Sequence, residues 1–135
     1  MERLAQNIFL AAPTPAQHAA VAAFSPASIE ILEARRREFQ LRRDFLFDAV
    51  DQLGFAMTEK PLGAFYLYAD AGAFTDDSAG FAEQLLASAG VAVTPGLDFG
   101  SNCPERYVRF AYTTALDRLE TGMERLRKFL RAGAG

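Results

Sequence analysis

One arginine stands in the middle of an apolar run, Tyr107-Val108-Arg109-Phe110-Ala111-Tyr112. Read as a strand, the run puts Tyr107, Arg109 and Ala111 on one face and Val108, Phe110 and Tyr112 on the other, because side chains alternate. A guanidinium is expensive to desolvate without a partner, and this one sits between aromatics rather than at a solvent-facing strand end. Three arrangements are compatible with that. A carboxylate of this chain pairs with Arg109, the site is kept for a ligand's carboxylate, or the arginine lies on a solvated face with its stem over apolar neighbours.

The other residues that could do chemistry lack the company they would need. His18 has no serine, cysteine or metal-type cluster at a useful spacing, so it reads as structural. Cys103, the single cysteine, has no internal disulfide partner and no evident base. Asp76 and Asp77 resemble a metal pair only superficially, since helix N-termini favour acidic residues and no further ligands stand nearby. Gly96 and Gly100 make no phosphate loop, because no lysine and hydroxyl pair follows. Arg35, Arg36, Arg37, Arg42 and Arg43 spread around a helix and are interleaved with Glu30, Glu33, Glu38 and Asp44, which describes a solvated face. At a net charge of −3 the chain lacks the basic excess of a nucleic-acid binder. No catalytic residue and no metal ligand is assigned; Arg109 is the one binding candidate.

The elements that must position Arg109 follow from pattern. A length of 135 residues suits one domain with a real core. Half the residues are hydrophobic and 23% are charged, an ordinary globular balance, and no apolar stretch is long enough to span a bilayer. Met1-Glu2-Arg3 shows no signal-peptide pattern, so the cytoplasm is the expected compartment. The patch Ile8 to Ala12, ending at prolines, reads as extended or irregular. Thr14-Pro15-Ala16-Gln17 reads as a capped helix start running through Phe24. Ser25-Pro26 opens a long helix to about Leu53, with Leu32, Phe39, Leu46 and Leu53 recurring every seven residues beside Ile29 and Val50.

Further along, Phe55 to Thr58 is expected as a short extended leg and Ala64 to Tyr68 as a central strand. Thr75 to Ser78 caps a helix through Ala89, with Phe81, Leu85 and Leu86 inward and Gly90 ending it. Val91 to Val93 is expected as a strand, and Thr114 as the cap of a last helix with Leu116, Leu119, Met123, Leu126 and Leu130 on its core face. The tail from Ala132 to Gly135 should fray. The fold class is therefore an α/β (α+β) two-layer sandwich: a small, mainly antiparallel sheet packed with helices and preceded by a long interdomain helix.

Three segments, taken together, resemble the C-terminal part of the class I and II aminotransferases, the fold-type I pyridoxal-phosphate enzymes related to aspartate aminotransferase. They are Gln6 to Leu10 with Pro13 to Ala20 and Phe24; Pro61-Leu62-Gly63-Ala64-Phe65-Tyr66; and Pro95-Gly96, Phe99-Gly100 leading into Tyr107-Val108-Arg109-Phe110. They stand in the family's order and at about its spacing.

The resemblance implies a role for each part. Arg109 would grip the α-carboxylate of the amino-acid or 2-oxo-acid substrate, for which a planar fork of donors is suited. Residues 1–24 would face the large cofactor domain, and residues 25–135, with a connecting helix over 26–53, would form the small C-terminal domain of a homodimeric enzyme. Lys60 and Lys128 do not lie in segments resembling the family's Schiff-base motif. The chain is thus expected to be a C-terminal piece, inactive alone and holding no pyridoxal phosphate stably. The alternatives are a non-catalytic effector or dimerisation module of a transcription regulator, or another fold-type I enzyme such as a lyase. Neither nucleic acid nor membrane is an expected partner.

Overall fold

Burial alternates along the arginine-bearing strand: Val108 and Phe110 are buried, while Tyr107 and Arg109 are half-buried and Ala111 is exposed. That period of two is what a sheet with one face on a core imposes. The computed structural model describes residues 1–9 and 11–133, which form two compact units, Met1–Glu38 and Phe39–Gly135.

The first unit holds α1 (Glu2–Leu4), a π-helical turn Ala5–Phe9, α2 (Thr14–Ala23) and the first part of α3 (Pro26–Gln52). The leading segment is therefore helical through Phe9 rather than extended; Leu10, expected within the same apolar patch, lies outside the described residues. At α2 the cap falls one residue early. Pro13 O accepts from Ala16 N and Gln17 N, and the Gln17 side chain reaches back to Ala12 O at 2.7 Å. Ser25 does open α3, its hydroxyl accepting from Ser28 N. No residue of α1 or α2 is buried, and Ile29 and Leu32, expected on a covered stripe, are 42% and 50% exposed.

The second unit carries the sheet. β1 (Tyr66–Asp70), β2 (Thr94–Pro95) and β3 (Tyr107–Ala111) are arranged β1-β3-β2, both pairings antiparallel, so the central strand is β3 and not, as expected, the one that follows Ala64. The inner face packs Leu67, Ala69, Val108 and Phe110 against Leu46 and Val50 of α3, Phe81 and Leu85 of α4 (Ser78–Ala89), and Leu119, Met123 and Leu126 of α5 (Leu116–Gly133). This is the expected two-layer α/β arrangement. Buried side chains of this size each contribute about 1.5–3 kcal/mol by leaving water.

Several boundaries differ, for local reasons. Ala64 has φ of 62°, a left-handed turn that keeps the chain from extending until Tyr66. Phe55 to Thr58 reduces to a single bridge, Ala56 with Asp70. Gly90, at φ of 63°, ends α4 as expected, but Val91 is then spent on the helix end, its N–H returning to Leu85 O, and the ladder starts only at Thr94. Leu86 is 58% exposed because it lies one residue, about 100° of helix, beyond the inward pair Phe81 and Leu85. The last helix takes its first bonds at Ala115 O, from Arg118 N and Leu119 N, not at Thr114. It continues to Gly133, and the rest of the tail expected to fray, Ala134 and Gly135, lies outside the described residues.

Candidate functional site

The face of the sheet turned away from the core carries Tyr66 and Tyr68 from β1, Tyr107 and Arg109 from β3, and Thr94 from β2. Register fixes their rows: Arg109 is paired with Tyr68 on one side and with Thr94 on the other. Its Nη2 donates to Thr94 Oγ1 at 3.1 Å. The guanidinium carbon lies 4.7 Å from the centre of the Phe99 ring and 5.4 Å from that of Tyr66, within cation–π range of both. Nε is buried and meets no hydrogen-bond partner.

An arginine has five N–H donors, and among the described residues one of them finds an acceptor. Among the described residues no carboxylate forms an ion pair with Arg109. The carboxylate that shares this sheet face, Asp70, is already taken: Arg106 Nη2 donates to its Oδ2 at 2.7 Å and Gly72 N to its Oδ1 at 2.7 Å. Tyr68 offers no anion, since burial, and then its electrostatic interaction with Tyr107, push its phenol above the ordinary value. The first of the three arrangements, pairing with a carboxylate of the chain, is therefore absent among the described residues.

The loop from Pro95 to Arg106 brings Phe99 to this place. It starts with a 3-10 turn, Gly96–Asp98, and ends with another, Pro104–Arg106. Gly96 permits the crossing: a Cβ there would meet Pro104 O, lie 2.8 Å from Tyr107 O and 2.9 Å from Tyr68 Oη. The buried Ser78 hydroxyl, at the start of α4, donates to Pro104 O at 3.0 Å and fixes the far end. Between these anchors Phe99 N–H donates to Gly96 O, and its ring meets Tyr68 edge-on at 6.0 Å. Tyr68 in turn stacks on Tyr107 at 4.9 Å.

Arg109 was the residue expected from sequence at this site. Thr94, Phe99 and Tyr66 were not singled out. Only Phe99 and Tyr66 had a visible signal, their membership of the aromatic-glycine motifs.

The remaining candidates stand elsewhere or alone. Lys60 lies 3.4 Å from Asp44 and 3.8 Å from Asp48, over the Phe47 ring, and Lys128 pairs with Glu124 at 2.9 Å. Both lysines are thus held by helix carboxylates away from the Arg109 row. Cys103 is exposed, and no group of three metal-ligating side chains exists among the described residues. A cavity of about 540 Å³ opens on the opposite side of β3, lined by Leu46, Phe110, Leu119, Met123 and the arginines Arg118 and Arg125 among others; Arg109 does not line it.

Comparison with known proteins agrees with this architecture. The chain is 34% identical over 128 residues to a (5-formylfuran-3-yl)methyl phosphate transaminase of Methanocaldococcus jannaschii, covering 95% of this chain and 33% of that protein. It is 40% identical over 126 residues to an aspartate aminotransferase of Geobacillus stearothermophilus, covering 88% of this chain and 30% of that one. The crystal structure of an aminotransferase from Mycobacterium tuberculosis superposes with a TM-score of 0.87 at 32% identity, over 96% of this chain and 33% of its own. The chain spans about a third of the length of the curated relatives it matches. The family model for aminotransferase class I and II matches residues 1–126, and the chain belongs to that family.

Proposed function

We propose that this chain supplies the substrate-carboxylate grip of a pyridoxal-phosphate-dependent aminotransferase, with Arg109 as the gripping residue. The observation that carries the reading is a half-buried guanidinium with one donor used, one enclosed and unmet, and no counter-charge paired with it among the described residues. Such a group is poorly explained by stability, because an unpaired charge at a partly dry site opposes folding. A carboxylate arriving from solution supplies the missing counter-charge, and the planar fork donates to both carboxylate oxygens at once.

In the complete enzyme the reaction would move an amino group between an amino acid and a 2-oxo acid. Pyridoxal phosphate would need a lysine for its aldehyde, and the lysines of this chain do not fit: Lys60 and Lys128 are committed to Asp44, Asp48 and Glu124, away from Arg109. The contribution of these residues is binding and orientation rather than the chemical step. Holding the substrate's carboxylate at a fixed point restricts the motion of its α-carbon, which is where positioning lowers a barrier. The transaminases among the relatives favour this reading over a non-catalytic module.

Arg109→Ala in the complete enzyme is expected to lower kcat/KM by roughly 2–5 kcal/mol, the range for truncating one partner of a desolvated charge pair. An unchanged kcat/KM rules out the assignment. The 135 residues alone, mixed with pyridoxal phosphate and borohydride, are expected to give no adduct at a unique lysine and no turnover; both together would contradict the division of labour proposed here.

A further inference from the structure

We infer that Thr94 and Phe99 are positioning residues that hold the Arg109 guanidinium in one plane without neutralising it, so that a carboxylate meets it edge-on. The inference rests on the carboxylate-binding reading of Arg109 and assigns what keeps that group available.

Thr94 is the cross-strand partner of Arg109 in the β2–β3 pair, and its hydroxyl is the acceptor for Nη2. A hydroxyl orients a guanidinium through one hydrogen bond yet brings no negative charge, whereas an aspartate at the same register position would be a permanent internal competitor. Phe99 adds the second constraint. Its ring and that of Tyr66 both lie within cation–π distance of the guanidinium carbon, and ring faces attract a cation without offering a hydrogen-bond acceptor that would compete for its donors. Apolar rings beside the cation also displace water, which strengthens whatever charge interaction forms there.

Packing alone does not account for Phe99. Phe99 is 44% exposed and lies outside the hydrophobic core, yet the loop that carries it is anchored on both sides, by the Gly96 crossing and by the bond from Ser78 to Pro104 O. Thr94 and Phe99 stand five positions apart on the same segment, so one piece of chain supplies both the edge acceptor and the face cover. The enclosed Nε, unmet by any protein acceptor, is the mark of a guanidinium held for its geometry rather than for an internal bond.

The test titrates the chain with pyruvate, with acetone as the uncharged control, and follows the Arg109 Nε–Hε cross-peak by NMR; backbone amides of β3 serve for Arg109→Ala. Thr94→Val and Phe99→Leu are expected to weaken pyruvate binding by about 3- to 30-fold each, in line with one charged hydrogen bond or one cation–π contact. Thr94→Ser and Phe99→Tyr should restore it. Thr94→Asp should abolish binding, by more than about 100-fold, as an internal carboxylate occupies the fork. All variants change partly exposed positions, and retained amide dispersion reports their folding. If Arg109→Ala abolishes binding while Thr94→Val and Phe99→Leu bind as the parent does, or if Thr94→Asp still binds, the positioning roles are wrong and the carboxylate reading stands. If pyruvate does not move the parent's cross-peak, or binds Arg109→Ala equally well, both fall.

Discussion

Replacing Arg109 by methionine separates an arginine kept for a ligand from one kept for the fold. The substitution loses the bond to Thr94 Oγ1, about 1 kcal/mol net, and two ring contacts of about 0.5–1 kcal/mol each at partly exposed sites. It also removes a buried Nε–H with no acceptor, a group whose burial opposes folding by about 1–3 kcal/mol, while the methionine stem stays against the same rings. The terms nearly cancel, so Arg109→Met is expected to change stability by no more than about 1 kcal/mol in either direction. The internal control is Arg43, whose side chain is 14% exposed. Its Nε and Nη2 donate to Asp44 Oδ1 at 3.0 and 2.7 Å, and Nη1 donates to Pro61 O at 3.1 Å. Arg43→Met strands those acceptors and should destabilise by about 1–3 kcal/mol, discounted for the partial exposure of Asp44. Urea denaturation with linear extrapolation measures both. A loss in Arg109→Met equal to or larger than that in Arg43→Met would make Arg109 a structural strut and refute the reasoning.

Gly96→Ala drives a Cβ against Pro104 O, Tyr107 O and Tyr68 Oη, so the urea midpoint should fall by the equivalent of about 1–3 kcal/mol, with weaker pyruvate binding as the loop shifts. Ala64→Gly removes a left-handed alanine at φ of 62° and should raise stability by up to about 1 kcal/mol, the relief of strain exceeding the added freedom of the unfolded chain; a lowered midpoint would contradict it. The hydrogen bond from Arg43 holds the Asp44 carboxyl below its ordinary value of 3.8, against the opposing effect of burial. A depressed folded-state value means the stabilisation is present above the unfolded value and disappears as pH falls through the folded one. Asp44→Asn should therefore lower the urea midpoint at pH 7, and that loss should shrink progressively as pH falls below the unfolded aspartate value and through the lower folded one; a loss independent of pH would show that the charge is not what matters.

Where the outcome depended on local backbone geometry, pattern sufficed. The alternation in Tyr107 to Tyr112 correctly divided the strand into a buried face and an open one, because the pleat alternates whatever surrounds it. Gly90 ended α4 because a left-handed residue is the local solution to a helix terminus. Asp77 caps α4 through its side chain for an equally local reason, accepting from Gly80 N at 3.0 Å.

The apolar repeat of α3 was legible as a repeat but not as burial. Leu46 and Val50 enter the core, whereas Ile29 and Leu32 belong to the Met1–Glu38 unit and stay exposed. A periodic face states a capacity to be covered, and only the neighbouring elements decide whether it is. The strand expected at Val91 to Val93 moved to Thr94 for a related reason, since Val91 N–H was claimed by the helix end.

Sequence alone placed an arginine among aromatics on a strand of a small sheet, in a chain with the motifs of the aminotransferases. Tertiary structure decided that this arginine pairs with no carboxylate among the described residues. Asp70 stands on the same face but is held by Arg106, and the position opposite Arg109 is filled by a hydroxyl from a strand fifteen residues earlier. Which donor meets which acceptor across strands is set by register and by a glycine crossing, contacts between residues far apart in the chain, and no local pattern of residue types encodes them.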